Sequence, residues 1–515
     1  MHRLLRAVLS LFILFCLALG PAGAWAKAKS FVFLTISDLQ GQMEPFTTME
    51  GGKKAKVGGM ARVATVMKIN RAPDSAKTLT VATGDDLMGR FFLKFHGQAM
   101  YEAMNAAGVE AATWGNHEFD LGPKVFAQAL KYPKFPMVVS NLSAPPQSPL
   151  AKTFVPWLVL EKSGLKIGIF GLITPDLPEI SKVQGSVKVD KDIYSAAKKA
   201  IAHLQKQKVD LVVALTHIGI DLDKKLAAKV AGLDVICGGH SHTLVPTGRE
   251  VVVTGPNGRQ TVIVQTGARG AHVGRLEVEL DGGRVVKHKW EAIPVNANIK
   301  PDPQVARLVA AYQAQLPAAE VIAHTKTPLE CRQAVTRARE SAVADMIADF
   351  MRNQFNTDAA IVNGGNIRGE RVIPAGPITT ADIETMLPFT DEIDIIEIKG
   401  VVLLDALNWG LTGIKQLEGR FPQVSGLKYT IKAGRVQKAR VRGPGGKYLP
   451  LAKDKTYSVA LSSYLAGGGD GYKMLVSGAL SRKKTYVSLE SLVQARLKDL
   501  KTVAPKVDGR IRFVD

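Results

Sequence analysis

From Phe31 onward, compact apolar runs alternate with amphipathic stretches. Phe31–Ile36, Leu79–Ala82, Lys166–Phe170, Leu211–Leu215 and Val235–Ile236 are dense in aliphatic and aromatic residues, a pattern that predicts buried strands. Between them, Ala61–Asn70, Gln98–Ala107 and Ile193–Gln207 place apolar residues every three to four positions, the spacing of helices with one buried face. This alternation predicts an α/β domain with helices packed on sheet faces. Val251–Val253, Thr261–Val264 and Leu276–Leu280 read as a closing series of strands.

The pattern changes near residue 300. Asp302–Gln315 is predicted as a single helix linking two domains, and Arg339–Met351 as a strongly amphipathic helix. Asp358–Val362 reads as a strand running into Asn363-Gly364-Gly365-Asn366. Further strands follow at Ile395–Ile398, Leu427–Ile431 and Thr456–Ala460, and Gly467-Gly468-Gly469-Asp470-Gly471 marks a turn near the end. The expected division is a leader at 1–26, a first domain over 27–300, a linker helix over 301–317 and a second domain over 318–515. No internal repeat is evident.

Composition narrows this picture. A chain of 515 residues exceeds one ordinary core, and 46% hydrophobic with 22% charged residues is globular usage. Basic residues outnumber acidic ones 67 to 46, giving +21. The lysines look scattered, and the densest clusters (Lys53, Lys54, Lys56 and Arg482, Lys483, Lys484) are short. With no basic helix or aromatic-rich basic strand, the excess reads as solvated surface rather than a nucleic-acid track. Arg3 and Arg6 precede the apolar run Ala7–Gly20, and Ala24-Trp25-Ala26 is a small-x-small site, the layout of a cleavable leader. Cys16 lacks the small residues that precede a lipidated cysteine. The mature chain is therefore expected to be exported, periplasmic or extracellular, after cleavage near Ala26, with no stable membrane insertion. Of the two remaining cysteines, Cys237 reads as a small core residue, and a pairing with Cys331 is left open.

The chemistry sits at the strand ends. The first strand runs into Ser37-Asp38-Leu39-Gln40 and the second into Thr83-Gly84-Asp85-Asp86; a third segment holds Gly115-Asn116-His117-Glu118-Phe119-Asp120. Later strands end at Thr216-His217 and at Gly238-Gly239-His240-Ser241-His242. Open α/β folds bind ligands beyond the carboxyl ends of their strands. Five such ends here deliver Asp, Asn, Gln or His, a donor set suited to borderline divalent ions such as zinc or manganese. Asp86 reads as a turn residue. His96, His203, His272, His288 and His324 fall outside the pattern and read as structural or exposed. No dinucleotide fingerprint and no Gly-Lys-Ser/Thr phosphate loop is present.

Together these motifs resemble the calcineurin-like metallophosphoesterases. The strings Gly115–Asp120 and Gly467-Gly468-Gly469-Asp470-Gly471-Tyr472 narrow the resemblance to the 5′-nucleotidase / UDP-sugar hydrolase branch, over nearly the whole mature chain. The resemblance implies a four-layer α/β/β/α sandwich followed by an α/β substrate-binding domain. It implies two divalent ions bridged by Asp85, with Asp38, Gln40 and His242 on one and Asn116, His217 and His240 on the other. A metal-bound hydroxide would attack phosphorus, with His117 stabilising the phosphoryl charge and Asp120 orienting its ring. This chain has Gln40 where relatives usually have His, and His242 where some carry Gln; an imidazole that has changed arms preserves the ligand count. In the second domain the resemblance implies that Asn363 and Arg368 bind substrate, Arg368 at the phosphate, and that Phe421 and Tyr464 sandwich the base. Asp470 either bonds the nucleoside or shapes its turn, Ser462-Ser463 replace a frequent Asn, and Arg371 is either a second phosphate contact or, by preference, a surface residue. The implied substrate is a small nucleotide rather than a nucleic-acid polymer. Nucleotide sugars, 2′,3′-cyclic nucleotides, sulfur-compound esters or non-catalytic nucleotide capture are the alternatives.

Overall fold

The computed structural model describes residues 29–514 apart from 51, 52, 72 and 184. The leader expected at 1–26 lies outside the described residues.

Two sheets form the centre of the first domain. One has the order Arg284–Pro294, His272–Asp281, Lys29–Ile36, Thr78–Ala82, Ala111–Ala112. The other runs Val251–Thr254, Gln260–Val264, Val235–Cys237, Leu211–His217, Leu165–Ile173, Trp157–Lys162. Side chains alternate across a strand, and the two faces of each sheet fill different cores. Phe31, Phe33, Leu79 and Val81 of the first sheet share a buried layer with Ile167, Ile169, Leu211 and Val213 of the second. Ile36 and Ala82 face the other way, onto helices Met60–Arg71 and Gln98–Ala107. Phe170, Val212 and Ala214 cover helices Ile193–Lys206 and Ile220–Lys229. The result is helix, sheet, sheet, helix. Lys29–Ile36 is parallel to Thr78–Ala82, and Leu211–His217 is parallel to both of its neighbours, so the carboxyl ends within each parallel set share an edge.

Helix Pro303–Gln313, expected as a linker, is docked on the first domain. Its Val305, Val309 and Tyr312 join the core under Met60–Arg71. Asp302 caps its N-terminus by accepting from the amides of Gln304 and Val305, and pairs with Lys68 at 2.7 Å. The connection between the domains is residues 314–320, which lack helix and strand.

The second domain is built on a five-stranded sheet ordered Pro422–Ser425, Ala359–Asn363, Thr456–Ser462, Glu392–Lys399, Ala479–Ser488. Helices Ala342–Phe355 and Leu489–Leu500 pack on one face and Gly400–Leu411 on the other. A smaller sheet, ordered Tyr448–Pro450, Arg435–Arg442, Leu427–Lys432, Ile511–Phe513, closes the second core. The helix expected from Arg339 starts at Ala342, leaving Arg339 to Ser341 as the approach. Strands Arg284–Pro294, Arg435–Arg442 and Ala479–Ser488 were not legible in the pattern. Each is largely exposed, and a solvated strand carries little apolar signal.

Candidate active site

Asp38 and Asp85 follow the ends of two parallel strands, and His217 is the last residue of its own. His240 and His242 follow Val235–Cys237, while Asn116 and His117 come from the loop after Ala111–Ala112. All are buried or nearly so. Two groups of three form with donor atoms within 4.8 Å of one another: Asp85, His217 and His240, and Asp38, Asp85 and His242. Asp85 is common to both. His217 Nε2 lies 3.1 Å from Asp85 Oδ2, and His242 Nε2 lies 3.5 Å from Asp38 Oδ1.

The backbone is bent to achieve this. Asp38, Gln40, Asp85, His240 and His242 have φ of 51°, 52°, 55°, 79° and 52°. Side chains with a Cβ rarely occupy that left-handed region, and clusters of such residues mark sites where geometry is imposed. Gly84, at φ +85°, lets the Asp85 loop pass against the backbone of Trp114 and Gly115, where a Cβ would clash.

The donors fit a divalent cation. Asp38 Oδ2, Asn116 Oδ1 and His217 Nε2 are buried with no hydrogen-bond partner among the described residues. His217 Nδ1 donates to the Thr83 carbonyl at 2.7 Å, so Nε2 is the ring nitrogen turned to Asp85, whose carboxylate, against the opposing effect of burial, pushes the imidazole up to about 10. Burial pushes the Asp38 carboxyl up to about 8, against the opposing pull of nearby His217. Burial likewise pulls His240 down to about 3, helped by nearby His217. His242 is held well below the usual range by burial, then by Arg368 and Arg337. Neutral imidazoles are the metal-binding form. Gln40 Nε2 lies 3.2 Å from Asp85 Oδ2 and 3.3 Å from His242 Nε2. A half-turn of that amide presents its oxygen at the same place.

His117 is arranged differently. Its Nδ1 is 2.9 Å from Asp120 Oδ2, and its Nε2 accepts from Arg368 Nη2 at 2.6 Å. These partners fix the tautomer with the proton on Nδ1. Phe389 stacks on the ring with centroids 5.8 Å apart. Its neighbour Glu118 ties the loops together, accepting from the amides of Asp85, Asp86 and Gly115 at 3.2, 2.7 and 2.7 Å.

Facing these loops, the second domain completes a cavity of about 830 Å³. Arg368 and Arg337 line it beside His117, His240 and His242. Burial lowers Arg337 to about 9, with Arg368 as the next cause, while Glu370, Asp470 and Glu418 pull the other way. Asp470 organises the far wall: it accepts from Asn363 Nδ2 at 2.7 Å and from the Tyr464 hydroxyl at 2.9 Å. The Tyr464 ring lies against Gly469, where any Cβ would strike it.

Two expectations change here. Phe421 is not on the cavity wall: it is 0% exposed and sealed into the second-domain core with Leu407, Leu465 and Tyr472. The strand it enters, Pro422–Ser425, directs the ring inward, so a base cannot reach it in this arrangement. Arg371 is buried rather than superficial, paired with Asp382 at 2.7 Å. Ser462 caps the turn at Leu465. Asn363, Arg368, Tyr464 and Asp470 do line the cavity, together with Asn116, His117 and Asp120. Sequence reasoning missed Arg337, Glu118, Phe389 and Trp409. Glu118 stood inside a quoted motif, whereas Arg337 is indistinguishable in sequence from Arg332 and Arg339. Of the histidines left aside, His203 stacks on Trp157 and His288 pairs with Glu250. Cys237 and Cys331 are both buried and free.

Comparison with known proteins agrees with this geometry. Residues 31–244 match the calcineurin-like phosphoesterase family, and residues 321–477 match the 5′-nucleotidase C-terminal domain. The human 5′-nucleotidase is 30% identical over 559 residues, covering 99% of this chain and 95% of that protein. The trifunctional nucleotide phosphoesterase protein YfkN of Bacillus subtilis is 31% identical over 87% of this chain, which spans only 33% of YfkN. The crystal structure of a 5′-nucleotidase precursor from Thermus thermophilus superposes with a TM-score of 0.89 at 34% identity, covering 95% of this chain and 100% of that one. Donor set, two-domain cleft and full-length similarity converge: the chain belongs to the 5′-nucleotidase family of calcineurin-like phosphoesterases and is a metal-dependent phosphoric ester hydrolase.

Proposed function

We propose that this protein is exported and hydrolyses the phosphoester bonds of nucleotides in the cleft between its domains. The observation that carries the reading is the contact of Arg368 with His117 across the cleft, beside the buried donors around Asp85. A phosphoryl group placed there would meet guanidinium donors on one side and the candidate metal ligands on the other. In this reading Asp38, Gln40, Asp85 and His242 would hold one divalent ion, and Asp85, Asn116, His217 and His240 a second. Two such ions, zinc or manganese by donor type, would supply Lewis acidity and an acidified water. The protein's own groups do the rest. Arg368 and Arg337 present planar donors to the phosphate oxygens. His117, with its ring held at Nδ1 by Asp120, stabilises charge developing on the phosphoryl or leaving oxygen once substrate displaces Arg368 from Nε2 and that nitrogen carries a proton. Tyr464 supplies a face for the base, and Asp470 fixes that face.

Burial of His117, Arg368 and the donors between the domains requires opening for substrate entry, with residues 314–320 as the pivot. A cavity of about 830 Å³ also admits a nucleotide sugar, which is the second reading within the same chemistry. Phosphate release by the metal-reconstituted protein from AMP, UMP, UDP-glucose, 2′,3′-cyclic AMP and an aryl phosphate tests both. Fast turnover of a nucleotide, lost in His117→Ala, is expected. Activity on the aryl phosphate alone, with both metals bound, would refute the nucleotide assignment. N-terminal sequencing of the protein recovered outside the cytoplasm tests cleavage near Ala26.

A further inference from the structure

The smaller sheet of the second domain has an outer face unlike the rest of the surface. From Leu427 to Pro450 the sequence holds seven lysines and arginines and no acid. Alternation sends Leu427, Tyr429, Ile431 and Val441 into the core. Lys428, Lys438, Arg440 and Arg442 are left on the opposite face. The register sets Lys428 directly against Arg440. Thr430 pairs with Lys438 on one side and with Arg512 of the adjoining strand on the other. Like charges opposed in an antiparallel pair destabilise it. Among the described residues, Lys438, Arg440 and Arg442 make no ion pair.

An internal comparison shows that this is not simply how the chain builds an exposed hairpin. The hairpin His272–Asp281/Arg284–Pro294 is also rich in cations, and acids compensate them there. Lys287 meets Glu279 at 2.9 Å, Lys289 meets Glu291 at 2.6 Å, and Arg275 meets Glu277 at 3.0 Å. From Leu427 to Pro450 the sheet of the second domain has no acid to play that part.

We infer that this face docks on an anionic phospholipid surface. Four strands at about 4.8 Å spacing make a broad plane that can present its cations together to a layer of headgroups. Lipid phosphates supply the missing anions. A single-stranded nucleic acid would need stacking rings on the cationic face. Tyr448 is the ring there, and Lys428 Nζ sits over it at 4.9 Å. None of these residues lines the catalytic cavity, so the inference stands independently of the substrate reading.

The test is flotation of the full protein with phosphatidylcholine vesicles, with and without phosphatidylglycerol. Binding is expected only with phosphatidylglycerol, and release on raising salt to about 0.5 M, where charges are screened within a few ångströms. The double variant Lys438→Glu, Arg440→Glu should bind at least about tenfold more weakly with unchanged turnover of a soluble substrate. The matched change on the compensated hairpin, Lys287→Glu, Lys289→Glu, should leave binding intact. Absence of binding at low salt, equal binding by both double variants, or displacement of vesicles by a single-stranded oligonucleotide would each overturn the proposal.

Discussion

The two walls of the cleft are made by different means. On the first-domain side the backbone does the positioning. Parallel strands end together, and five of the seven candidate ligands adopt left-handed φ at the turn beyond them. On the second-domain side, side chains hold one another: Asp470 grips Asn363 and Tyr464, Trp409 Nε1 donates to the Asp470 carbonyl at 2.9 Å, and Arg368 leans on His117. A backbone-built wall presents donors before any ligand arrives. A side-chain-built wall can rearrange around the ligand that enters. Metal chemistry belongs on the first kind of wall and substrate choice on the second.

Substitutions can break this division, and the largest effects belong to the first wall. His117→Ala should lower kcat by about 10²–10⁴-fold while metal content by elemental analysis stays unchanged. A loss of metal together with activity would instead make His117 part of the donor set. Arg337→Ala and Arg368→Ala should each reduce kcat/KM by roughly 30- to 1,000-fold, the effect of removing one partner from a desolvated charged contact. Their steady-state kinetics with a nucleotide and with an aryl phosphate should suffer alike, because the phosphate is common to both. Phe421→Ala should cost about 3–5 kcal/mol of stability in denaturant unfolding, as for any large ring sealed in a core. Its KM should stay near the parent's; a large rise in KM at unchanged stability would return the ring to the substrate. Tyr464→Phe should have the smallest effect, a few-fold in KM for nucleotides and none for the aryl phosphate, since the face persists and only the hydroxyl bond to Asp470 is lost.

The same division governs how much could be read in advance. The strand ends carrying Asp38, Asp85, His217, His240 and His242 were legible because a buried parallel strand is a short apolar run and its polar end stands out. That Phe33 and Ile36 face different cores was not legible, because the run is apolar on both faces. The second wall was harder. Phe421 and Tyr464 are both aromatics in apolar context, and only tertiary packing decides that one ring is enclosed while the other meets the cavity. Arg337 shares its stretch with two other arginines, and nothing local distinguishes the one aimed inward. Glu118 acts through backbone amides of a distant loop, a role that no spacing encodes. Helix Pro303–Gln313 announced its period but not its destination. The apolar face that docks it on Met60–Arg71 would read the same in a free-standing linker.

The pairing of the first described strand has a consequence for the order in which the molecule can be assembled. Lys29 to Thr35 pair antiparallel with Leu280 to Gly274, so this strand sits between one partner made soon after it and another more than two hundred residues downstream. A chain emerging from the ribosome cannot complete that sheet until most of the first domain has been synthesised. Contacts of such long sequence separation close slowly. The first sheet therefore stays incomplete until His272–Asp281 has been made.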